Sequence, residues 1–209
     1  MPNIGSYDDR LKNFDWGIAE RELGYKAGET INIGWYCSDR ICQLGKKDKL
    51  ALLWEGSTGE QRRYTYDDVR TLSDGVGAFL RQMGIRDWDR VCLFMDRIPE
   101  LYIGLLGILK IGAIAQPLFS AFGDESLYVR LENAGTCAIL TQRKHASKVR
   151  KILGQLPELK HIIIVDHEEG RELREKEAAF SVDAHRTETL ALHATKAESP
   201  SLLHYTSGT

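Results

Sequence analysis

Between Leu50 and Val165 the apolar positions switch repeatedly between a helical rhythm and short continuous runs. Leu50 to Glu55 and Arg62 to Tyr64 are strand candidates joined through Gly56-Ser57-Thr58-Gly59, a turn composition that predicts a hairpin. Thr65, with Asp68 three residues on, forms a capping-box pattern at the start of a helix. Val69, Leu72, Val76, Phe79, Leu80 and Met83 share one face of that helix, and Gly84 ends it. The pattern then alternates: strand Arg90 to Met95, helix Pro99 to Ile111, strand Ala113 to Leu118, helix Asp124 to Ala134, strand Cys137 to Thr141, helix Ala146 to Leu156, strand His161 to Val165. Pro99 suits a first helical turn, and Gly112 and Gly135 suit helix stops. Strands alternating with helices predict an α/β fold, a parallel sheet flanked by helices and built from right-handed crossovers.

The flanks follow other rules. Residues 1–49 mix aromatic with charged positions and show weak periodicity, which predicts an extended arm with short helices on the surface of something larger. Residues 166–199 break the alternation with runs such as Arg171-Glu172-Leu173-Arg174-Glu175-Lys176-Glu177, the pattern of a solvated helix and a charged linker. Pro200 and the apolar residues after it open a new unit over 200–209. The long apolar stretch from Leu101 to Phe122 approaches membrane-spanning length, but Lys110, Gln116 and Pro117 interrupt it, so it predicts a buried helix followed by a strand.

Composition narrows the function classes. At 209 residues the chain can bury roughly 70% of its unfolded surface. A net charge of −2 gives no electrostatic footprint for nucleic acid or an anionic membrane. The start Met1-Pro2-Asn3-Ile4-Gly5 lacks a basic and apolar signal segment. The four cysteines, Cys37, Cys42, Cys92 and Cys137, show no Cys-x-x-Cys spacing and are expected to be reduced thiols in a cytoplasm. The six histidines are scattered without a zinc spacing, and His204 is expected to pack as a strand residue.

The candidate chemistry lies at two places. Leu202 to Tyr205 is strand-like and runs into Thr206-Ser207-Gly208-Thr209. A nucleotide's phosphates carry concentrated charge that must be held without side-chain bulk. Gly208 lets the backbone approach, so that its N–H groups and the hydroxyls of Thr206, Ser207 and Thr209 can donate to phosphate oxygens. Such a tripeptide is also common in ordinary turns, but its position straight after a strand is where phosphate loops sit in α/β proteins. It is not a Walker loop, since no Gly-Lys-Ser/Thr follows. Elsewhere Arg143, Lys144, His145, Lys148, Arg150 and Lys151 crowd one segment after a strand, a phosphate-binding patch or a solvated basic helix face.

Tyr205-Thr206-Ser207-Gly208-Thr209 resembles the opening of the ATP-phosphate signature of the adenylate-forming acyl-CoA ligases. Pro99-Glu100-Leu101-Tyr102, Lys110-Ile111-Gly112-Ala113-Ile114-Ala115, Pro117-Leu118-Phe119-Ser120-Ala121-Phe122 and Arg130-Leu131-Glu132-Asn133 resemble the upstream segment of the AMP-forming acetate-CoA ligases. Asn32 followed by Asp39-Arg40 resembles the amino-terminal extension of their acetate and short-chain branch.

The resemblance implies an arm over 1–49, an α/β subdomain of the AMP-binding domain over 50–165, a linker over 166–199 and the start of the next subdomain over 200–209. It implies ATP, Mg²⁺ and coenzyme A as cosubstrates and a small carboxylate, acetate above all, as the group activated. Thr206, Ser207, Gly208 and Thr209 would cradle the ATP phosphates, and Arg143, Lys148 and Arg150 would hold the nucleotide phosphates of coenzyme A. The family's arginine spacing is not reproduced in that basic segment.

The loop's lysine, the acyl pocket, the adenine contacts and the mobile carboxyl-terminal domain of such ligases are absent. No catalytic residue is therefore expected within residues 1–209, and the chain alone is expected to be inactive without the carboxyl-terminal part of the same enzyme. Two other classes remain open on the sequence. One is a coenzyme A or nucleotide binding module without turnover, which saturable binding abolished at Arg143, Lys148 and Arg150 would favour. The other is a remnant or interaction protein, which self-association through exposed apolar surface would favour.

Overall fold

In a computed structural model, residues 5–186 and 189–206 are described. The arm forms α1 (Tyr7–Asn13), α2 (Trp16–Leu23), α3 (Ile33–Cys37) and α4 (Asp39–Ile41), followed by a single π-helical turn, Cys42–Lys46. The hairpin is β1 (Leu50–Glu55) paired antiparallel with β2 (Gln61–Thr65). Then come α5 (Tyr66–Gln82), β3 (Arg90–Met95), α6 (Pro99–Lys110), β4 (Ile114–Phe119), α7 (Asp124–Ala134), β5 (Ala138–Thr141), α8 (Arg143–Ile152), β6 (His161–Ile164) and β7 (Glu177–Ala179).

Local chemistry explains the element ends. Thr65 Oγ1 accepts from the Asp68 N–H at 3.1 Å while the Asp68 carboxylate accepts from the Thr65 N–H at 2.8 Å, the reciprocal capping box. Helix α7 stops where Gly135 takes a left-handed conformation, φ 58°, that a side chain would strain.

β3 to β7 form one five-stranded parallel sheet in the order β4-β3-β5-β6-β7. Val91, Leu93 and Met95 of β3 pack with Leu72, Val76 and Leu80 of α5 and Ile103 of α6 on one face. Cys92 and Phe94 pack with Leu127 of α7 and Val149 of α8 on the other. With both faces covered, β3 and β5 read as continuous apolar runs and not as alternating ones. Helices α5 and α6 cross closely: a Cβ on Gly107 would lie 2.6 Å from Val76 Cβ and 2.9 Å from the Ser73 carbonyl.

The arm divides into two parts. No residue of α1 or α2 is buried, whereas the segment around Asn32 and Asp39 docks firmly. Buried Asn32 donates through Nδ2 to the carbonyls of Leu109, Lys110 and His193 at 3.2, 3.1 and 3.0 Å. Lys110 Nζ, fully buried, lies 2.7 Å from Asp39 and 2.6 Å from Asp74. Burial raises the Asp74 carboxyl above the ordinary carboxylate value even with that ammonium beside it.

Three expectations are corrected. Among the described residues of the segment 166–199 there is no helix; Glu177–Ala179 instead joins the sheet as β7 beside β6, and Phe180 and Val182 enter the core. A three-residue strand is too short to register as a period among so many charges. Helix α8 begins at Arg143 and not Ala146, because the Asp166 carboxylate accepts the Arg143 N–H at 2.7 Å, a cap supplied from 23 residues away. Leu202 to Tyr205 makes a single parallel bridge, Leu202 to Ala115 on β4, in place of a strand.

Candidate functional site

The strand order reverses at β3: the chain moves outward to β4 and then returns past β3 to β5. In open parallel sheets such a switch opens a crevice beyond the carboxyl ends of the two strands. Here those ends are Met95-Asp96 and Thr141-Gln142. The hairpin leans over them, with Trp54 Nε1 donating to the Arg97 carbonyl at 2.7 Å and the Arg62 guanidinium 4.3 Å from the Trp54 ring centre. Between hairpin and sheet lies a cavity of about 630 Å³, lined among others by Trp54, Ser57, Asp96, Arg97, Tyr102 and Lys144.

Asp96 organises this edge. Its N–H donates to Gln142 Oε1 at 3.0 Å, and its carboxylate meets Lys144 Nζ on one oxygen and His145 Nε2, at 2.8 Å, on the other. Lys144 first, with His145 and Ser120 adding to it against the cost of partial burial, holds the Asp96 carboxyl well below the ordinary carboxylate range. A carboxyl depressed by folding adds stability that is complete above its unfolded value, near pH 4, and is lost as the pH falls towards the folded one. Asp96→Asn is therefore expected to be less stable than the parent at pH 7, with the difference closing below about pH 4. Because the side chain is 38% exposed, the difference is also expected to shrink in high salt. Thermal unfolding against pH checks both.

The basic candidates on α8 do not converge. The Arg143 guanidinium lies 2.7 Å from His167 Nδ1 at the carboxyl edge. Lys148 Nζ donates to the carbonyls of Ser120 and Phe122, at 2.9 and 3.0 Å, and so braces the turn that leaves β4. Arg150 pairs with the fully buried carboxylate of Glu177 on β7, its Nε at 2.6 Å, and sits about 10 Å along the helix from Arg143. Burial raises the Glu177 carboxyl, but hydrogen bonds from the Arg174 backbone and Arg150 bring it below its ordinary value overall.

Of the candidate loop, Thr206 is described and exposed, at the end of the segment that bridges to β4. Ser207, Gly208 and Thr209 lie outside the described residues. His204, expected to pack, is exposed, because a single bridge buries only alternate residues of that segment. Among the described residues no group of three or more His, Cys, Asp or Glu side chains could hold a metal ion. The four cysteines are unpaired. No described helix is long and apolar enough to cross a membrane.

Asp96 and Gln142 went unrecognised in the sequence, and His145 was visible only as a member of the basic run on α8. The signal was present, since each of β3 and β5 ends in an abrupt apolar-to-polar step, but only the strand order makes those two steps neighbours.

Residues 42–209 match the AMP-binding enzyme family. The acetyl-coenzyme A synthetase of Bacillus subtilis is 31% identical over 99% of this chain and 36% of its own length. That of Streptomyces coelicolor is 27% identical over 95% of this chain and 32% of its own. A crystal structure of a Brucella canis acyl-CoA synthetase superposes with a TM-score of 0.82 at 28% identity, over 97% of this chain and 36% of that one. The chain thus spans about a third of the length of these relatives. With the family match running from the end of the arm through the candidate loop, the chain belongs to the AMP-binding enzymes.

Proposed function

We propose that this chain is the amino-terminal part of an AMP-forming acyl-CoA ligase acting on a short-chain carboxylate, acetate above all. The observation that carries this reading is the alignment with the Bacillus subtilis acetyl-coenzyme A synthetase, which runs through arm, sheet and loop alike. A carboxylate is a poor acyl donor because its oxygen leaves badly. In the proposed reaction it attacks the α-phosphate of ATP, releasing pyrophosphate and forming an acyl adenylate. The coenzyme A thiol then displaces AMP.

This chain's share of that work is positioning and charge stabilisation. Thr206, Ser207 and Thr209 would donate hydroxyl hydrogen bonds to the ATP phosphates, and Gly208 would let backbone N–H groups approach them. Mg²⁺ would neutralise phosphate charge when bound, but the described residues offer no cluster of three or more His, Cys, Asp or Glu side chains to hold it. Arg143, Lys148 and Arg150 would meet the phosphates of coenzyme A. For Lys148 and Arg150 this requires giving up the Ser120 and Phe122 carbonyls and the Glu177 carboxylate in exchange. A cytoplasmic setting suits the unpaired cysteines.

The test is product analysis on the protein from the complete reading frame, supplied with acetate, ATP and coenzyme A. AMP and acetyl-CoA in equal amounts are expected. Formation of ADP, or no acetate-dependent nucleotide turnover, would overturn the reading.

A further inference from the structure

Residues 193–206 run from the end of α6 and the arm to the outer edge of β4 and are tied down at successive stations. At the amino end the His193 N–H donates to the Lys110 carbonyl at 3.0 Å, and the Ile31 N–H donates to Thr195 O at 2.9 Å while Thr195 Oγ1 donates back to Ile31 O. In the middle the Ala115 N–H donates to Ser201 O and the Leu203 N–H to Ala115 O, each at 2.9 Å. Two residues further along β4, Pro117 has no N–H to offer, so the next donor bond of the ladder is lost. Among the described residues no backbone bond fixes 204–206.

A side chain takes over at that point. The Tyr205 hydroxyl lies 2.8 Å from Asn133 Oδ1 and 3.1 Å from the Arg130 carbonyl, both acceptors on α7. The Arg130 guanidinium sits between two rings, 4.3 Å from the centre of Phe122 and 5.6 Å from that of Tyr205. The acceptor side is rigid, because the Arg130 carbonyl also receives buried Gln116 Nε2 at 3.0 Å, and Gln116 Oε1 receives Thr136 Oγ1 at 2.5 Å.

We propose that Tyr205 is a positioning residue: its hydroxyl, latched to α7 through Arg130 and Asn133, replaces the missing strand ladder and fixes where Thr206 leaves the sheet. The functional half of this inference rests on the reading of Thr206–Thr209 as a phosphate loop. Tyr205 touches no substrate in this role. It acts by holding its own stretch of backbone, immediately before Thr206, against α7.

The test is amide hydrogen exchange by NMR on the 209-residue chain, comparing the parent with Tyr205→Phe, Asn133→Asp and Asn133→Leu. Tyr205→Phe keeps the ring and removes the donor. It is expected to speed exchange at Leu203 about three- to tenfold while leaving Leu140 in the sheet unchanged. Asn133→Asp keeps an acceptor and is expected to exchange like the parent, whereas Asn133→Leu moves towards Tyr205→Phe. Unchanged exchange at Leu203, or an equal rise at Leu140 signalling loss of global stability, would overturn the latch. Adding MgATP to the parent tests the loop reading separately. A shift of the Thr206 amide resonance is expected, and its absence at millimolar nucleotide would overturn the functional half whatever Leu203 does.

Discussion

Lys110→Met is expected to lower folding stability by about 3–5 kcal/mol at neutral pH, measured by urea denaturation. The ammonium is fully buried and joins three parts of the chain: Asp39 of the arm, Asp74 of α5 and its own helix α6. It also donates to the Arg70 carbonyl at 3.2 Å. Methionine fills the same space but leaves two largely buried carboxylates facing each other, with only the Arg70 guanidinium, 3.7 Å from Asp74 and partly exposed, to offset them. Removing one partner of a buried ion pair costs far more than the pair is worth, because the remaining charge has lost water and gained nothing. The Asp74 carboxyl, already raised by burial, should then be raised further by the loss of its nearest cation. A carboxyl raised by folding favours the folded state as the pH falls, so the deficit should shrink on acidification towards the unfolded carboxylate value, near pH 4. Because Asp39 belongs to the arm, proteolysis near residues 31–41 is expected to accelerate in the same variant. A loss below about 1 kcal/mol with no change on acidification would mean that the triad does not tie the arm down.

Phe94→Ala is expected to cost a similar amount, about 3–5 kcal/mol. Phe94 is fully buried in β3, flanked by β4 and β5, on the face covered by α7 and α8. Its ring centre is 5.6 Å from that of His145 and 5.7 Å from Lys148 Nζ, so it also supports the first two turns of α8. The cavity cannot close easily, because backbone bonds to both neighbouring strands pin β3 in place. Loss should therefore appear twice, as a lower denaturation midpoint and as faster amide exchange at Ala146 and Val149. Phe94→Leu, which keeps most of the volume, should show the same pattern at smaller size. A full-sized midpoint shift without faster exchange in α8 would separate core packing from support of the carboxyl edge.

Much of the fold was legible because its elements are locally self-consistent. The Thr65–Asp68 capping box, Pro99 at a helix start and Gly135 at a helix stop are signals carried by adjacent residues, and each lies where expected. What local pattern could not supply was information from distant partners. Arg143 starts α8 because of Asp166, β7 exists because β6 offers it an edge, and buried Glu177 is tolerated because Arg150 reaches it. The site divides in the same way. The loop beginning at Thr206 could be read as a motif, whereas Asp96, Gln142 and His145 meet only after β5 is laid beside β3. The basic run on α8 was visible as a cluster, but helical geometry sends its side chains to separate partners.

We propose that these residues belong to a carboxylate-activating enzyme whose remaining machinery lies outside this chain. Acetate-dependent exchange of labelled pyrophosphate into ATP tests it most directly, run on the 209-residue chain and on the protein from the complete reading frame. Exchange by the complete protein, dependent on acetate, is expected, and none by the chain alone. Exchange by the chain alone would contradict the claim that the remaining machinery lies elsewhere, and none by the complete protein with any short carboxylate would contradict the assignment itself.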